Sequence, residues 1–120
     1  MDFTSDGTYG PRLDAAALAH LDLGNNVWGS LAGTTDAHRV AGSFFGAGWR
    51  VRRSSWTEFE VENTFAELEL CPGDPVHFSG FVDPDRLMHL LDALNGLRLS
   101  YSVEFEDRQG RMHVHRSGCC

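Results

Sequence analysis

Lysine is absent from this chain, and its ten cations are all arginines. Against them stand 17 aspartates and glutamates, so the formal net charge is −7. A nucleic-acid duplex would be repelled by that balance, which argues against a nucleic-acid partner. The one basic patch, Arg50, Arg52 and Arg53, reads as solvated side chains near a strand start. No run of eighteen apolar residues occurs, so the expectation is no membrane span. The opening MDFTSDGTYG lacks the basic and apolar regions of a secretory signal, and a cytoplasmic location is expected. Three cysteines are too few, and odd in number, for a disulfide framework. A bridge between the adjacent Cys119 and Cys120 would be strained, so reduced thiols are expected.

Catalytic signatures are missing as well. There is no GxSxG, HExxH, P-loop or EF-hand pattern, and Cys71 has no His-Asn or CxxC context. Gly46 and Gly48 resemble a fragment of a dinucleotide-binding loop, but the third glycine and the preceding strand are lacking. They read as a helix stop. No motif implies a cofactor.

What is present is a chain of 120 residues with 42% hydrophobic content, enough for one domain with a buried core. The expectation is a single α+β domain over 1–120, with 1–12 a loose N-terminal arm and 117–120 a flexible tail. PRLDAAALAHLDL reads as a short helix. TTDAHRVAGSFFGAG reads as a second, with Thr35 as its N-cap. NVWGSLAG is ambiguous between a strand and a turn. From Trp49 the hydrophobic period changes to two. WRVRRSSWTEFEVEN, FAELELC and VHFSGFV read as three strands. DPDRLMHLLDALNG follows, with Asp83 as N-cap, Pro84 at N1 and leucines 87, 90, 91 and 94 on one face. LRLSYSVEFE and RMHVHR then form a hairpin.

Strands with one apolar face and amphipathic helices imply a two-layer α+β sandwich. About five mostly antiparallel strands are expected, in the order 3-2-1-4-5, with the long helix a crossover. The third strand, around Phe81, would then be an uncharged edge. Such an edge invites pairing unless the N-terminal segment or a second copy of the chain covers it. The oligomeric expectation is thus monomer or homodimer.

Two surface features invite a function. The first is His-x-His at 113 and 115. If the hairpin loop is 107–110, Glu106 faces Arg111, Glu104 faces His113 and Ser102 faces His115. Such unlike-charge pairs stabilise antiparallel strands by about 0.2–1 kcal/mol each, with no metal involved. The metal alternative would recruit His113, His115, His77 and Glu104, or the terminal cysteines.

The second feature is that all seven glutamates, Glu58, Glu60, Glu62, Glu67, Glu69, Glu104 and Glu106, fall in expected strands and on the outward face. Glutamate is disfavoured in strands, and like charges placed side by side cost stability. A solvated face protected from edge aggregation would account for them. The functional alternative is an acidic plate, with Trp56, Phe81 and His77 nearby, that binds a basic protein partner. Size and charge alone fit an immunity or inhibitor type of protein.

Overall fold

The computed structural model describes residues 2–117. Chain order is α1 (Ala15–Leu18), β1 (Val27–Ala32), α2 (Ala37–Gly46), β2 (Arg50–Arg53), β3 (Phe59–Asn63), β4 (Ala66–Cys71), β5 (Val76–Val82), α3 (Leu87–Gly96), β6 (Ser100–Glu106) and β7 (Met112–Arg116). The fold is α+β, as expected, but the sheet has seven strands rather than five. Their order is β2-β3-β4-β5-β1-β6-β7, and every neighbouring pair is antiparallel.

Two local events replace the expected order 3-2-1-4-5. WRVRRSSWTEFEVEN is not one strand. The Ser55 hydroxyl accepts from the Thr57 and Glu58 amides at 3.3 and 3.1 Å, while the Ser54 and Ser55 amides donate to the Glu58 carbonyl. A serine that offers its side chain to the backbone in this way competes with ladder pairing, and the strand breaks into β2 and β3. The second event is that NVWGSLAG is a strand. As β1 it pairs with β5 on one side and β6 on the other. It covers the uncharged β5 and keeps β6 away from β3.

Glycine makes room for β1. Gly29 pairs with Phe78, whose ring occupies the inner face beneath it. A Cβ at Gly29 would stand 2.6 Å from the Ser102 carbonyl oxygen and closer still to the Phe78 ring. On β5, a Cβ at Gly80 would stand 2.8 Å from the Leu68 Cα.

Both longer helices lie on one face, α2 against β2, β3 and β4, and α3 against β6. Between helices and sheet, Phe44, Phe78, Leu31, Leu68, Leu70, Leu90 and Leu94 are fully buried. The N-cap of α2 is Asp36, one residue beyond the expected Thr35, and its side chain accepts from the Arg39 amide. Asp83 accepts from the Asp85 amide in a short 3-10 turn, Pro84–Arg86, that leads into α3. No helix among the described residues is long and apolar enough to cross a membrane.

The first twelve residues are not a loose arm. Phe3 is buried in the core. The Thr8 amide donates to the Val51 carbonyl at 2.8 Å and the Arg53 amide to the Thr4 carbonyl at 2.9 Å, so the arm lines the outer edge of β2. It then climbs onto the sheet face opposite the helices. Arg86 holds it there through two bonds to Asp14, at 2.9 and 2.7 Å. The same arginine binds the buried Asp83 at 2.8 Å. The arm ends at Asn26, whose side chain donates to the Val82 carbonyl and accepts from the Val82 amide, standing in for one more rung of the ladder. At the far end, the Ser117 amide donates to the Tyr101 carbonyl. The remainder of the expected tail, with Cys119 and Cys120, lies outside the described residues.

Two stability measurements follow from these contacts. Gly29→Ala costs about 1–3 kcal/mol by chemical denaturation, since the methyl has nowhere to go. Gly42→Ala, at a helical position with open space around it, gains about 0.5–1 kcal/mol. Equal effects at the two sites would contradict the packing of β1.

The arm clasp has a pH signature. Hydrogen bonds from the Arg86 guanidinium, and then from the Ala17 amide, lower the Asp14 carboxyl from its ordinary 3.8 to about 2. A depressed carboxylate contributes fully above its unfolded value and loses that contribution as pH falls through the folded one. Asp14→Asn therefore lowers the thermal midpoint at pH 6 and has little effect near pH 2. A difference that persists undiminished at pH 2 would show that the charge is not what holds the arm.

Candidate functional site

Antiparallel pairing sorts the outward side chains into rows that run across the strands. One row starts at Arg52, passes through Glu60, Glu69 and Ser79, reaches Trp28 near the middle of the sheet, and continues to Glu104 and Val114. A second holds Arg50, Glu62, Glu67 and Phe81 on one side and Glu106 and Met112 on the other. Asn26 bridges its two halves, bonding Gly80 and Glu106 through its backbone. A third contains Cys71, His77, Ser30, Ser102 and Arg116.

The expected acidic plate is divided in two by the arm. Glu62 is only 3% exposed. Its Oε2 accepts from the Leu13 amide at 2.8 Å, and the Arg12 and Arg50 guanidiniums approach its Oε1 at 3.6 and 3.7 Å. Phe81 points outward as expected, yet it is 4% exposed, with residues 21–25 of the arm alongside. Glu62 and Phe81 thus anchor the arm and are withdrawn from any partner.

The other glutamates stay accessible in part. Glu60 is held by Arg52 in a two-bond pair at 3.0 and 2.9 Å. Glu67 and Glu69 are half-buried, and Glu104 and Glu106 are exposed. Glu60 stands directly opposite Glu69, and Glu62 opposite Glu67. Partial burial, then Glu60 and Glu62 beside it, push the Glu67 carboxyl above its usual range. Among the described residues no cation lies within ion-pair distance of Glu67, Glu69, Glu104 or Glu106.

Trp56 does not join this face. It sits in the loop between β2 and β3, 91% exposed, at the mouth of a cavity of about 550 Å³ that it shares with Asp36, His38, Arg53 and Phe59. The aromatic residue that the fold does place among the glutamates is Trp28. It belongs to NVWGSLAG, the stretch that the sequence leaves ambiguous between strand and turn.

The histidines fall on opposite faces. In the β6–β7 hairpin Glu106 pairs with Met112, Phe105 with His113 and Glu104 with Val114. The loop is one residue longer than expected. The Gly110 amide bonds the Asp107 carbonyl, and the Asp107 amide bonds the Arg111 carbonyl. Gly110 has φ +81°. This is a turn closed by a glycine bulge, and the extra residue shifts the register by one. A one-residue shift turns every side chain over. His113 and His115 therefore share the helix-side face with Phe105 and Val103, while Glu104 and His77 are on the other. His113 Nε2 lies 2.7 Å from Asp107 Oδ2, which lowers the Asp107 carboxyl. The four residues of the expected metal site do not meet. Met112 and Val114, expected inward, are outward and about half exposed, at 51% and 56%.

His77 has different company. It stands opposite Cys71, whose thiol donates to Glu58 Oε2 at 3.3 Å. Bonds from the Ser55 hydroxyl and the Cys71 thiol hold the Glu58 carboxyl below its usual range. Burial, and then Glu58, push the thiol up to about 11. A thiol so firmly protonated is a poor nucleophile at neutral pH.

No family model, curated protein or solved structure matches the chain.

Burial separates the two halves of the outer face in a measurable way. Phe81→Lys, which forces a charge under the arm, costs about 3 kcal/mol or more. Val114→Lys stays within about 0.5 kcal/mol of the parent protein. Denaturant titration of both variants distinguishes the covered half from the open half. Comparable losses would mean that β7 is buried by something else.

Proposed function

We propose that the chain is a protein-binding module of the inhibitor or immunity type, which receives a basic protein partner on the open part of its outer sheet face. The observation that supports this most is the row Glu69, Ser79, Trp28, Glu104 and Val114. It sets carboxylates without ion-pair partners on both sides of a half-buried tryptophan. Tryptophan anchors an interface because its large flat surface is desolvated at little entropic cost, while surrounding charge steers the encounter. Met112 and Val114 extend the apolar part towards the β7 edge.

Energetics support the same reading. Two glutamate–glutamate pairs stand directly opposite one another across β3 and β4, an arrangement that destabilises the isolated sheet. Arg52 already engages Glu60, and Glu62 lies under the arm, so an arginine- or lysine-rich surface would relieve the repulsion at Glu67 and Glu69. Residues of the binding face are then Trp28, Glu60, Glu67, Glu69, Glu104 and Glu106, with Met112 and Val114. We place the protein in the cytoplasm, where its thiols stay reduced.

Binding is tested by affinity capture at two ionic strengths, followed by titration of the recovered partner. The partner is expected to be basic, and its affinity falls at least tenfold between about 0.05 and 0.3 M salt. Trp28→Ala weakens binding by about 2 kcal/mol or more. The double variant Glu69→Gln/Glu104→Gln removes most of the salt dependence, and Trp56→Ala has no effect. A partner that binds the double variant and Trp28→Ala as tightly as the parent protein would disprove the assignment of this face.

A further inference from the structure

We propose that Glu58, Glu69, Cys71 and His77 form a binding site for a divalent transition-metal ion of the zinc class. The four residues converge from three parts of the fold. Glu69 and Cys71 are two apart on β4 and therefore point to the same face. His77 of β5 stands directly opposite Cys71. Glu58 precedes Phe59, whose partner is Leu70, and this brings Glu58 beside Cys71. One carboxylate oxygen from each glutamate and the thiol sulfur all lie within 4.8 Å of one another. A tetrahedral ion with bonds of about 2.0–2.3 Å requires these atoms to draw in by roughly 1 Å. Rotamer adjustment of partly exposed side chains accomplishes that. His77 is exposed and free to swing in as the fourth ligand.

Three observations set this group apart from a patch of surface carboxylates. Its donors are mixed, and a thiolate with an imidazole and carboxylates suits zinc or cobalt rather than calcium or magnesium. Among the described residues no cation lies within ion-pair distance of Glu58 or Glu69, since the nearby Arg52 is engaged by Glu60. The carboxylates are aimed by hydroxyls instead. Ser55 Oγ donates to Glu58 Oε1 at 2.8 Å and Ser54 Oγ to Glu69 Oε2 at 3.3 Å, the kind of outer support that orients metal ligands. The other group of potential ligands, His20, Asp83 and Asp85, already has cations in it. Arg86 binds Asp83 and Arg108 binds Asp85.

Binding forms an Sγ–metal bond and releases the thiol proton, now shared with Glu58, to solvent. A divalent charge reverses the field that keeps the thiol protonated.

The experiment is a titration of the full chain with Co²⁺, with Zn²⁺ as competitor, in the parent protein and in the double variant Cys119→Ser/Cys120→Ser. One equivalent of Co²⁺ is expected to bind in both, with thiolate-to-cobalt charge-transfer absorption that Zn²⁺ abolishes. In the double-variant background, Cys71→Ser removes the absorption, and Glu69→Gln and His77→Ala each weaken binding tenfold or more. His115→Ala leaves it unchanged. Should Cys71→Ser fail to fold, Glu69→Gln and His77→Ala decide the matter by themselves. Absence of thiolate absorption overturns the site. So does absorption lost with the terminal cysteines, or affinity indifferent to Glu69 and His77. The partner face shares Glu69 with this site, but its Trp28→Ala arm touches no metal ligand and Cys71→Ser and His77→Ala touch no residue of that face, so the two outcomes remain distinguishable.

Discussion

The sheet depends on the insertion of β1 between β5 and β6. Those strands do not pair with each other, and each bonds Val27–Ala32 along one of its edges. Without β1 the molecule would be a four-stranded sheet of β2 to β5 and a separate two-stranded hairpin of β6 and β7, and such a hairpin is marginal by itself. The insertion is sterically demanding, because strands on both sides constrain one narrow slot. Gly29 and Gly80 meet that demand by removing the side chains that would collide with Phe78, Ser102 and Leu68.

The same insertion explains why the outer face has two characters. To enter the slot, the chain must travel from the β2 edge across the glutamate-bearing side of the sheet. On the way it buries Glu62 and Phe81 and is fastened by the Asp14–Arg86 pair. The strands it does not cross, β1, β6 and β7, keep Trp28, Glu104 and Val114 accessible. Covered and open halves are thus consequences of one path, and the boundary between them is set where Asn26 takes over the ladder.

Much of this architecture is legible in the amino-acid pattern. Alternation marks β3 to β6, and the leucines of α3 occupy the buried face that their spacing indicates. The outward placement of the glutamates also holds, since it follows from the period of the strands. What escapes the pattern is decided by single residues. Ser55 breaks a strand that alternation would continue. Gly110 lengthens a hairpin by one residue, and that reverses Met112, His113, Val114 and His115 together. The order of strands escapes for a different reason. VWGSLA carries a glycine where its inward row needs one, so its alternation is interrupted at the position that makes the fold possible. Trp28 lies in the same stretch and escapes the pattern with it. The burial of Phe81 and Glu62 depends on the path of a polar arm, for which hydrophobic periodicity has no signal.

Asn26 and Val82 bond to each other across 56 residues of chain, and β1 must also wait for β6, further on still. During synthesis the N-terminal quarter therefore leaves the ribosome with none of its strand partners available. It stays unpaired until nearly the whole domain has been translated. Topologies dominated by such distant contacts fold slowly, and this one has an interior strand of its sheet near the start of the chain. The glutamates of β3 and β4 emerge in the meantime. In the nascent chain their mutual repulsion, which opposes the finished sheet, also opposes premature association with other copies, and so protects the domain through the interval before β1 can be captured.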